Sequence, residues 1–321
     1  MPSDFAYSSL RRLASAPGAR HLIQRVRGEQ DEIRLAIGRL ESHLLDVRRP
    51  TRLHDAEFKV FSQFGEDGII QHLARAVDPA ETTFVEIGTG DYRESNTRFL
   101  LQNDNWRGIV IDGGEDHVRF VLGSGLSWRF DVEPVSAFVT RENVNALISD
   151  NGLSGEIGLL SVDVDGIDYW LWQAIDVVSP AIVVSEYNAL WGPEATITVP
   201  YDPGFVNSEA HYSQLYFGAS LGALVHLGAS RGYRFVGCAS NGANAFFVRE
   251  DVAGDLPAQT AASGYRESRF LTGRNPDGTL SRNRSRSERI ASIGHLPVID
   301  VSTGVETTVA QAVPAPESHG S

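Results

Sequence analysis

The segment TFVEIGTGD, from Thr83 to Asp91, decides how this chain of 321 residues folds. It begins as an apolar run typical of a buried strand, reaches an acid at Glu86, and then turns on Gly88 and Gly90. A glycine turn lets the backbone approach a ligand closely, because no Cβ stands in the way. The segment therefore predicts a strand that ends in a ligand-binding turn.

A further acid, Asp112, follows the glycine turn by about 20 residues and closes the apolar run 108–112. In α/β folds that bind nucleosides, an acid at this place accepts hydrogen bonds from the ribose hydroxyls. A carboxylate suits this task because it can accept two hydrogen bonds from a diol. We therefore predict that Glu86, Gly88, Gly90 and Asp112 together bind a cofactor that contains a nucleoside.

Two groups of residues with side-chain oxygens lie at the ends of neighbouring strand candidates further along the chain. Asp163 and Asp165 end one apolar run, and Glu186 and Asn188 follow the next. The carboxyl ends of neighbouring parallel strands meet at one edge of a sheet, which is where ligands bind in open α/β folds. Oxygen ligands suit hard divalent cations, so the sequence predicts that these four residues hold Mg²⁺ or Mn²⁺. The alternative is that Asp165 or Asp168 caps a helix and the other acids are surface groups.

Strand-like and helix-like segments alternate along most of the chain, which predicts a doubly wound α/β fold. The expected architecture is a Rossmann-like seven-stranded sheet, mostly parallel, with an antiparallel hairpin at one edge and a heptad helix at the N-terminus. The predicted strands are 83–87, 108–112, 127–131, 157–163, 181–186, 233–238 and 244–248. The predicted helices are 95–103, 134–150, 168–176 and 213–231.

An N-terminal segment carries mostly apolar residues at alternating spacings of four and three. The positions are Val26, Gln30, Ile33, Ile37, Leu40, Leu44 and Val47. This spacing is the a/d pattern of a coiled-coil seam, with Gln30 as its polar position. We expect residues 21–48 to form a homo-oligomer; the alternative is a helix that packs on its own domain.

The domain organisation follows from these patterns. We predict a flexible N-terminus over 1–20, a coiled-coil-like oligomerisation segment over 21–57, and the α/β domain over 58–252. A C-terminal extension is predicted over 253–305, and a disordered tail rich in Pro, Ser and Ala over 306–321.

Composition limits the classes of partner that the protein is expected to bind and indicates its cellular compartment. A net charge of −13 argues against binding to a nucleic-acid backbone. No apolar run approaches the length of about 18 residues that a membrane span needs. Cys238 is the only cysteine, which excludes an internal disulfide and fits a reducing compartment, so we expect a cytoplasmic protein.

The order strand, Glu86-x-Gly88-x-Gly90, helix, strand, Asp112 resembles motif I of the class I S-adenosylmethionine-dependent methyltransferases. A dinucleotide fingerprint would place a third glycine near position 93, where this chain has Arg93. The resemblance implies that S-adenosylmethionine binds over the glycine turn with its ribose on Asp112, and that the α/β domain is a methyltransferase domain.

Four further positions belong to this expected cofactor site. The resemblance places Asp131, at the end of the predicted third strand, near the adenine amino group. Ser95, Asn96 and Thr97 open the next predicted helix, where their side chains can reach the cofactor. The alternative for Ser95 is that it only caps this helix.

The acidic positions resemble the metal-dependent sugar O-methyltransferases, which carry an Asp-x-Asp-x-Tyr motif after strand four and an acidic pair after strand five. Asp163 and Asp165 match the first element, whereas Tyr169 lies four residues beyond Asp165, and 186–188 replaces the pair. The resemblance covers roughly 60–250. It implies O-methylation of a hydroxyl on a sugar, glycan or glycosylated natural product, assisted by Mg²⁺ or Mn²⁺.

The stretch after the fifth predicted strand is aromatic and rich in proline. It is too long for a routine connection, so we expect a functional loop that contacts the small-molecule or glycan acceptor. The residues predicted to bind the acceptor are Trp191, Tyr201, Phe205 and Tyr216. His211, which can titrate near neutrality, and Asp163 are the two candidate catalytic bases.

Three other interpretations remain open at the level of the sequence. The chain could be a metal-independent small-molecule methyltransferase that uses Asp163 or His211 as its base. It could be a nucleotide-sugar or NAD enzyme on a related sheet, or a non-catalytic Rossmann-like protein that serves binding or assembly. Unpartnered carboxylates are costly, so the acidic positions favour an enzyme over the last of these.

Overall fold

A computed structural model describes residues 17–270, 273–282 and 285–313, with side chains from Arg25 onward. Ten strands form in these ranges. They are β1 (Thr83–Ile87), β2 (Arg107–Asp112), β3 (Val132–Ser136), β4 (Gly155–Val162), β5 (Val178–Glu186), β6 (Ile197–Thr198), β7 (Tyr233–Cys238), β8 (Asn244–Arg249), β9 (Pro297–Asp300) and β10 (Val305–Thr308).

Seven of these strands form one sheet in the order β3-β2-β1-β4-β5-β8-β7. The neighbours from β3 to β5 are all parallel, and β8 is antiparallel to both β5 and β7. The structure therefore confirms the predicted Rossmann-like sheet with an antiparallel hairpin at one edge. Because the carboxyl ends of β1, β2, β4 and β5 lie side by side, the residues that follow these strands meet at one edge.

Strand β1 lies in the interior of the sheet between β2 and β4, and all five of its residues are buried. Val85 and Ile87 face one apolar core, which also contains Val162 of β4. Phe84 faces the second core on the other side of the sheet. Glu86 shares this second side, since side chains alternate along a strand. A buried carboxylate in this position needs hydrogen-bond partners from the protein.

Twelve α-helices form in the described ranges. They are α1 (Pro17–Arg48), α2 (Glu66–Val77), α3 (Arg98–Asn103), α4 (Asp116–Ser124), α5 (Leu126–Arg129), α6 (Val144–Ser149), α7 (Asp168–Ala174), α8 (Asn207–Ala210), α9 (Leu221–Ser230), α10 (Ala261–Gly264), α11 (Arg286–Ile293) and α12 (Val309–Ala312). None of these helices combines the length and the apolar content that crossing a bilayer requires.

The third strand lies further along the chain than the sequence predicts. A strand is predicted over 127–131, but α5 occupies most of this stretch and β3 begins at Val132. The predicted helix over 134–150 is wrong in its first half, because β3 continues through Pro134 and α6 begins only at Val144. The proline is tolerated because β3 is an edge strand, paired on one side only.

The C-terminal strands β9 and β10 join β6 in a second, three-stranded sheet, in the order β10-β9-β6. Val298 and Val309 are buried there in an apolar cluster with Trp191. The predicted disordered tail is therefore wrong for 306–313, which continue into β10 and α12 because Val309 is buried. The remainder of that tail lies outside the described residues.

Residues 1–16 of the predicted flexible segment lie outside the described residues, whereas 17–20 already belong to α1.

The segment before α2 is held in place by one buried carboxylate. Oδ2 of Asp67 accepts hydrogen bonds from the backbone N–H groups of Val60, Phe61 and Ser62 over 2.7–2.8 Å. The hydroxyl of Ser62 donates to the same oxygen at 2.7 Å. Burial raises the pKa of Asp67 to about 6. This clamp fixes the stretch that brings Gln63 to the carboxyl edge of the sheet.

Replacing Asp67 tests this clamp. The change Asp67→Ala leaves three backbone N–H groups without their acceptor, and each buried group left unpaired costs about 1–3 kcal/mol. We expect Asp67→Ala to lower the free energy of unfolding by at least about 3 kcal/mol, and Asp67→Asn, whose amide oxygen still accepts, by clearly less. Urea unfolding followed by circular dichroism measures both changes.

The control for this experiment is Asp55→Ala. Asp55 pairs with Arg52 at the surface, so its loss should change the free energy of unfolding by less than about 1 kcal/mol. Equal losses in Asp67→Ala and Asp55→Ala would contradict the clamp.

Candidate functional site

The carboxyl ends of β1, β2, β4 and β5 open into a cavity of about 550 Å³. Seven carboxylates line this cavity, and no lysine, arginine or histidine of the described ranges does so. The seven acids are Glu86, Asp91, Glu94, Asp112, Asp163, Asp165 and Glu186. A cavity of this charge attracts cations and disfavours phosphate groups.

The glycine turn after β1 needs its glycines. Gly88 has φ 86° and Gly90 has φ 56°, which place both in the left-handed region. A Cβ on Gly88 would overlap the backbone carbonyl oxygen of Asp163, whereas a Cβ on Gly90 would meet no atom within 4 Å. Gly88 therefore allows the chain after β1 to pack against the chain after β4, and Gly90 leaves the backbone open to the cavity.

The carboxylate of Asp112 is oriented by the backbone on both sides. Its Oδ2 accepts a hydrogen bond from the N–H of Gly90 at 2.9 Å, and its Oδ1 accepts one from the N–H of Gly114 at 2.8 Å. Each carboxylate oxygen can accept a second hydrogen bond. Asp112 is half-buried at the cavity, so these remaining lone pairs are available to a diol.

The buried carboxylate of Glu86 holds the start of α3. It accepts hydrogen bonds from the hydroxyl of Ser95 at 2.7 Å and from the N–H groups of Asn96 and Thr97 at 2.9 and 3.2 Å. The hydroxyl of Thr97 donates to it as well. Burial raises the pKa of Glu86, and these donors oppose the rise. Glu86 therefore positions the loop beside the cavity.

Ser95, Asn96 and Thr97, which lead into α3, do not share one role. Ser95 and Asn96 line the cavity, and the side-chain amide of Asn96 also donates to the hydroxyl of Ser161 at 3.0 Å. Thr97 is fully buried and does not line the cavity. The structure therefore places two of the three residues where a cofactor can reach them and keeps Thr97 behind them.

The structure brings Asp163, Asp165 and Glu186 together, with one carboxylate oxygen of each within 4.8 Å of the others. Burial raises the pKa values of Asp163 and Glu186 well above the usual range, and the neighbouring carboxylates raise them further. Oε2 of Glu186 is buried without a hydrogen-bond partner among the described residues. Three close carboxylates with an unpaired oxygen fit the ligand set of a divalent cation.

The loop that carries Asp165 is fixed by Asp168. Asp168 accepts hydrogen bonds from the N–H groups of Val164 and Gly166 at 2.8 and 3.0 Å, and burial raises its pKa to about 6. Asp165 has φ 53°, a conformation that residues other than glycine seldom adopt. Asp168 thus stabilises the loop conformation, and Asp165 lines the cavity.

Asn188 does not join the three acids. Its side-chain oxygen accepts a hydrogen bond from the N–H of Leu190 at 3.1 Å. Its side-chain amide donates to the carbonyl oxygens of Leu215 and Phe217 at 3.0 and 3.1 Å. The residue is buried and holds neighbouring loops together, so its predicted place in the ligand set is wrong.

Asp131 lies at the other end of the sheet from the cavity. It precedes β3, and its carbonyl oxygen accepts a hydrogen bond from the N–H of Gly108 at the start of β2. Two residues beyond β3 line the cavity, the buried Val139 and Phe138, which is 51% exposed. The sequence misses Phe138 because it places the third strand five residues too early.

Of the four predicted acceptor residues, only Phe205 lines the cavity. Trp191 is buried in the C-terminal cluster, and the hydroxyl of Tyr216 donates to the carbonyl oxygen of Pro297. The hydroxyl of Tyr201 donates to the carboxylate of a surface glutamate, Glu142. These three rings stabilise the chain around the site instead of forming its wall.

His211 also lies away from the cavity lining. Its Nδ1 is 2.7 Å from the hydroxyl of Ser213, and its ring packs on Tyr212. Partial burial and the nearby His295 lower its pKa. Asp163 is the candidate base that the structure places in the cavity.

Lys59 lies beside the cavity without lining it. Its ammonium group donates to the carbonyl oxygen of Gln63 at 2.7 Å and contacts the carboxylate of Glu94 at 3.4 Å. Gln63 and Glu94 both line the cavity. The sequence offers no signal for Gln63 beyond its position in the segment before α2.

No protein-family model matches this chain, and no curated protein matches it either. Solved structures with a similar fold include the mitomycin 7-O-methyltransferase MmcR, with 15% identity and a TM-score of 0.34 over 75% of this chain and 60% of that one. An O-methyltransferase from Bacillus cereus in complex with SAH has 13% identity and a TM-score of 0.38, over 68% and 89%. TomG from Streptomyces achromogenes, an O-methyltransferase in complex with SAM, has 14% identity and a TM-score of 0.37, over 67% and 87%.

These likenesses are limited in extent as well as in strength. The chain spans only 60% of the length of MmcR.

The two glycines of the turn predict different outcomes when each is changed to alanine. Gly88→Ala drives a Cβ into backbone and should lower the free energy of unfolding by about 3 kcal/mol or more. Gly90→Ala meets open space and should cost only the left-handed strain of about 1–2 kcal/mol. Urea unfolding of the two variants measures the difference, and equal stabilities would contradict the close approach at Gly88.

Proposed function

We propose that this protein is an enzyme that transfers a methyl group from S-adenosylmethionine to a hydroxyl group. The charge of the cavity carries the proposal: seven carboxylates line it, with no basic side chain from the described ranges. The sulfonium and ammonium groups of S-adenosylmethionine are cationic. Nucleotides and dinucleotides carry phosphates, which this cavity would repel.

The start of α3 supplies a second argument against a dinucleotide. In dinucleotide-binding folds, the pyrophosphate lies on free N–H groups at the N-terminus of the helix that follows the glycine turn. Here the carboxylate of Glu86 already accepts the N–H groups of Asn96 and Thr97. A pyrophosphate would find these donors taken and a carboxylate in its place.

Asp112 and Phe138 are the proposed contacts for the adenosine part. The free lone pairs of Asp112 would accept hydrogen bonds from the two ribose hydroxyls, and Gly90 allows the cofactor close to the backbone. Phe138 lies next to Gly113, since a Cβ on that glycine would be 3.3 Å from the ring. An exposed aromatic ring beside the ribose site suits an adenine base.

Asp163, Asp165 and Glu186 are the proposed ligands of a divalent cation, either Mg²⁺ or Mn²⁺. Such a cation would lower the pKa of an acceptor hydroxyl and fix its direction. Because the three acids share the cavity with the glycine turn, an acceptor held there would face the cofactor. Sugars offer vicinal hydroxyls that can chelate, and the Asp163-x-Asp165 motif resembles sugar enzymes, so a sugar or glycan is the proposed acceptor.

Asp163 is the proposed proton acceptor, because it lies in the cavity and His211 does not. Phe205 would pack against the acceptor; its ring lies where a Cβ on Gly166 would be. The remaining task in methyl transfer is in-line positioning of the hydroxyl oxygen and the methyl group. The same arrangement without a cation is the alternative, a metal-independent methyltransferase with Asp163 as base.

The cofactor site is tested by calorimetric titration of S-adenosylmethionine and S-adenosylhomocysteine. We expect both to bind, and Asp112→Ala to weaken each about 30-fold or more, because hydrogen bonds to a charged group contribute about 2 kcal/mol. The two ligands carry the same ribose and should lose the same factor. Asp116→Ala, an exposed change on α4, is the control that should leave both affinities unchanged.

The two possible failures have different meanings. If neither ligand binds the unaltered protein, the methyltransferase proposal is wrong. If both bind and Asp112→Ala leaves them unchanged, the ribose lies elsewhere.

The metal site is tested by Asp165→Asn. We expect at least about tenfold weaker Mn²⁺ binding by electron paramagnetic resonance, because the change removes one charged ligand. Methyl transfer from labelled S-adenosylmethionine to acceptors found in a glycan screen should be lost, with cofactor affinity nearly intact. Asp176→Asn, an exposed change away from the cavity, is the control. Transfer that persists in Asp165→Asn and in EDTA would favour the metal-independent alternative.

A further inference from the structure

Helix α1 packs on the α/β domain through a face that the heptad pattern does not include. Leu35 and Leu45 are each only 5% exposed, and Leu35 packs in a cluster with Phe61 and Phe99. A Cβ on Gly38 would come within 2.8 Å of the ring of Phe99. The apolar contacts between α1 and its own domain are therefore made by residues outside the predicted seam.

Polar contacts follow the same face. The carboxylate of Asp31 pairs with the guanidinium of Arg98 at 2.6 Å. The hydroxyl of Ser42 donates to the side chain of Gln71 at 2.8 Å. The docked positions are 31, 35, 38, 42 and 45, which recur at spacings of four and three and so form one stripe of their own.

The predicted seam is a second stripe, and it is exposed. Its apolar members are Val26, Ile33, Ile37, Leu40, Leu44 and Val47, with exposures between 39% and 79%. At about 100° per residue, its centre lies about 150° around the helix from the docked stripe. None of the described residues covers the seam, which runs for about 30 Å. An apolar stripe of this length marks an interaction site.

We propose that the seam pairs with the seam of a second copy of this chain, as a parallel two-stranded coiled coil in register. The spacing of four and three is the pattern that lets two helices interlock over several turns. A twofold axis places the same stripe on both sides of the interface, so the seam needs no other complementary surface. The proposal does not rest on the reaction that the protein catalyses.

The polar position Gln30 favours the parallel orientation. In a parallel pair, Gln30 faces Gln30 of the second copy, and the two amides can bond to each other. In an antiparallel pair with the apolar layers matched, Gln30 faces Val47 of the second copy and leaves its amide without a partner. A buried polar group without a partner is costly, and a single polar seam residue is known to select register and orientation.

The charges beside the seam agree with this orientation. In the parallel pair, Glu29 lies near Arg34 of the second copy, and the reciprocal contact gives two attractive pairs. In the antiparallel pair, Arg27 faces Arg48 of the second copy twice, which is repulsive, and Arg34 faces Glu41 twice, which is attractive. The flanking charges thus offset each other in the antiparallel pair, and Gln30 carries the choice of orientation.

The docked domain leaves room for this pairing. Because the docked stripe and the seam lie on nearly opposite sides of α1, each α/β domain would be held on the outer side of the helix pair. The positions next to the seam are mostly charged, and two strands leave them at the solvent edge, which favours two strands over a larger bundle.

The first test is the mass of the full chain by sedimentation equilibrium at micromolar concentration. We expect two chains, and at least about 100-fold weaker association for Ile37→Glu and for Leu40→Glu, because each puts two charges into the apolar seam. The matched control Arg39→Glu lies between them on a free face and should remain a dimer. Near-ultraviolet circular dichroism checks that each variant keeps the folded domain, since both seam side chains are exposed in a single chain.

The second test separates the orientations by disulfide formation. Gln30→Cys should cross-link with itself under mild oxidation only in the parallel register. In the antiparallel arrangement, it would cross-link only with Val47→Cys in a mixture of the two variants. The native Cys238 is buried and does not compete. A single-chain or three-chain mass for the unaltered protein, or cross-linking only in the mixture, would overturn the proposal.

Discussion

The rest of the site depends on the burial of one carboxylate, that of Glu86 near the end of β1. A buried charge needs several hydrogen bonds, and Glu86 obtains them from Ser95, Asn96 and Thr97. This requirement fixes the path of the chain between the glycine turn and α3. Asn96 then reaches Ser161 on β4, so β1, β4 and the loop share one network. The N–H groups of Asn96 and Thr97 at the helix start are thereby bonded to a carboxylate.

Acidic residues gather at one edge of the sheet because four neighbouring strands each have an acid at or next to their carboxyl end. Glu86, Asp112 and Glu186 lie at the carboxyl ends of β1, β2 and β5, and Asp163 follows β4 directly. Parallel pairing brings these ends together whatever their charge, so the fold itself concentrates carboxylates at one edge. Their mutual repulsion and burial raise the pKa values of Asp163 and Glu186. A cationic cofactor and a bound cation would both relieve this repulsion, which is why the two proposals support each other.

The sheet and the glycine turn could be predicted because their signals are local, whereas the failures concern residues whose roles depend on distant partners. The apolar run before Glu86 and the acids after the strands are visible in the sequence, and parallel pairing does the rest. Asn188 has the right chemistry for a ligand, but carbonyl oxygens of Leu215 and Phe217, nearly 30 residues away, take its amide. Trp128 makes 127–131 resemble a buried strand, but its side chain is 79% exposed and it lies in α5. The third strand is therefore predicted too early in the chain. The heptad positions form one exposed stripe of α1, and the sequence alone does not reveal that a second stripe contacts the domain.

The position of Lys59 has a practical consequence for chemical labelling. It carries the only ε-amine of the whole sequence. That amine donates hydrogen bonds to the carbonyl oxygen of Gln63 and to the carboxylate of Glu94 at the edge of the cavity. An amine-reactive fluorophore would therefore mark a single lysine side chain, Lys59, beside the proposed cofactor, in addition to the α-amine of the chain. Acylation would also remove the ammonium charge that contacts Glu94. One reagent thus provides both a reporter of ligand entry and a way to make the cavity more negative without changing a codon.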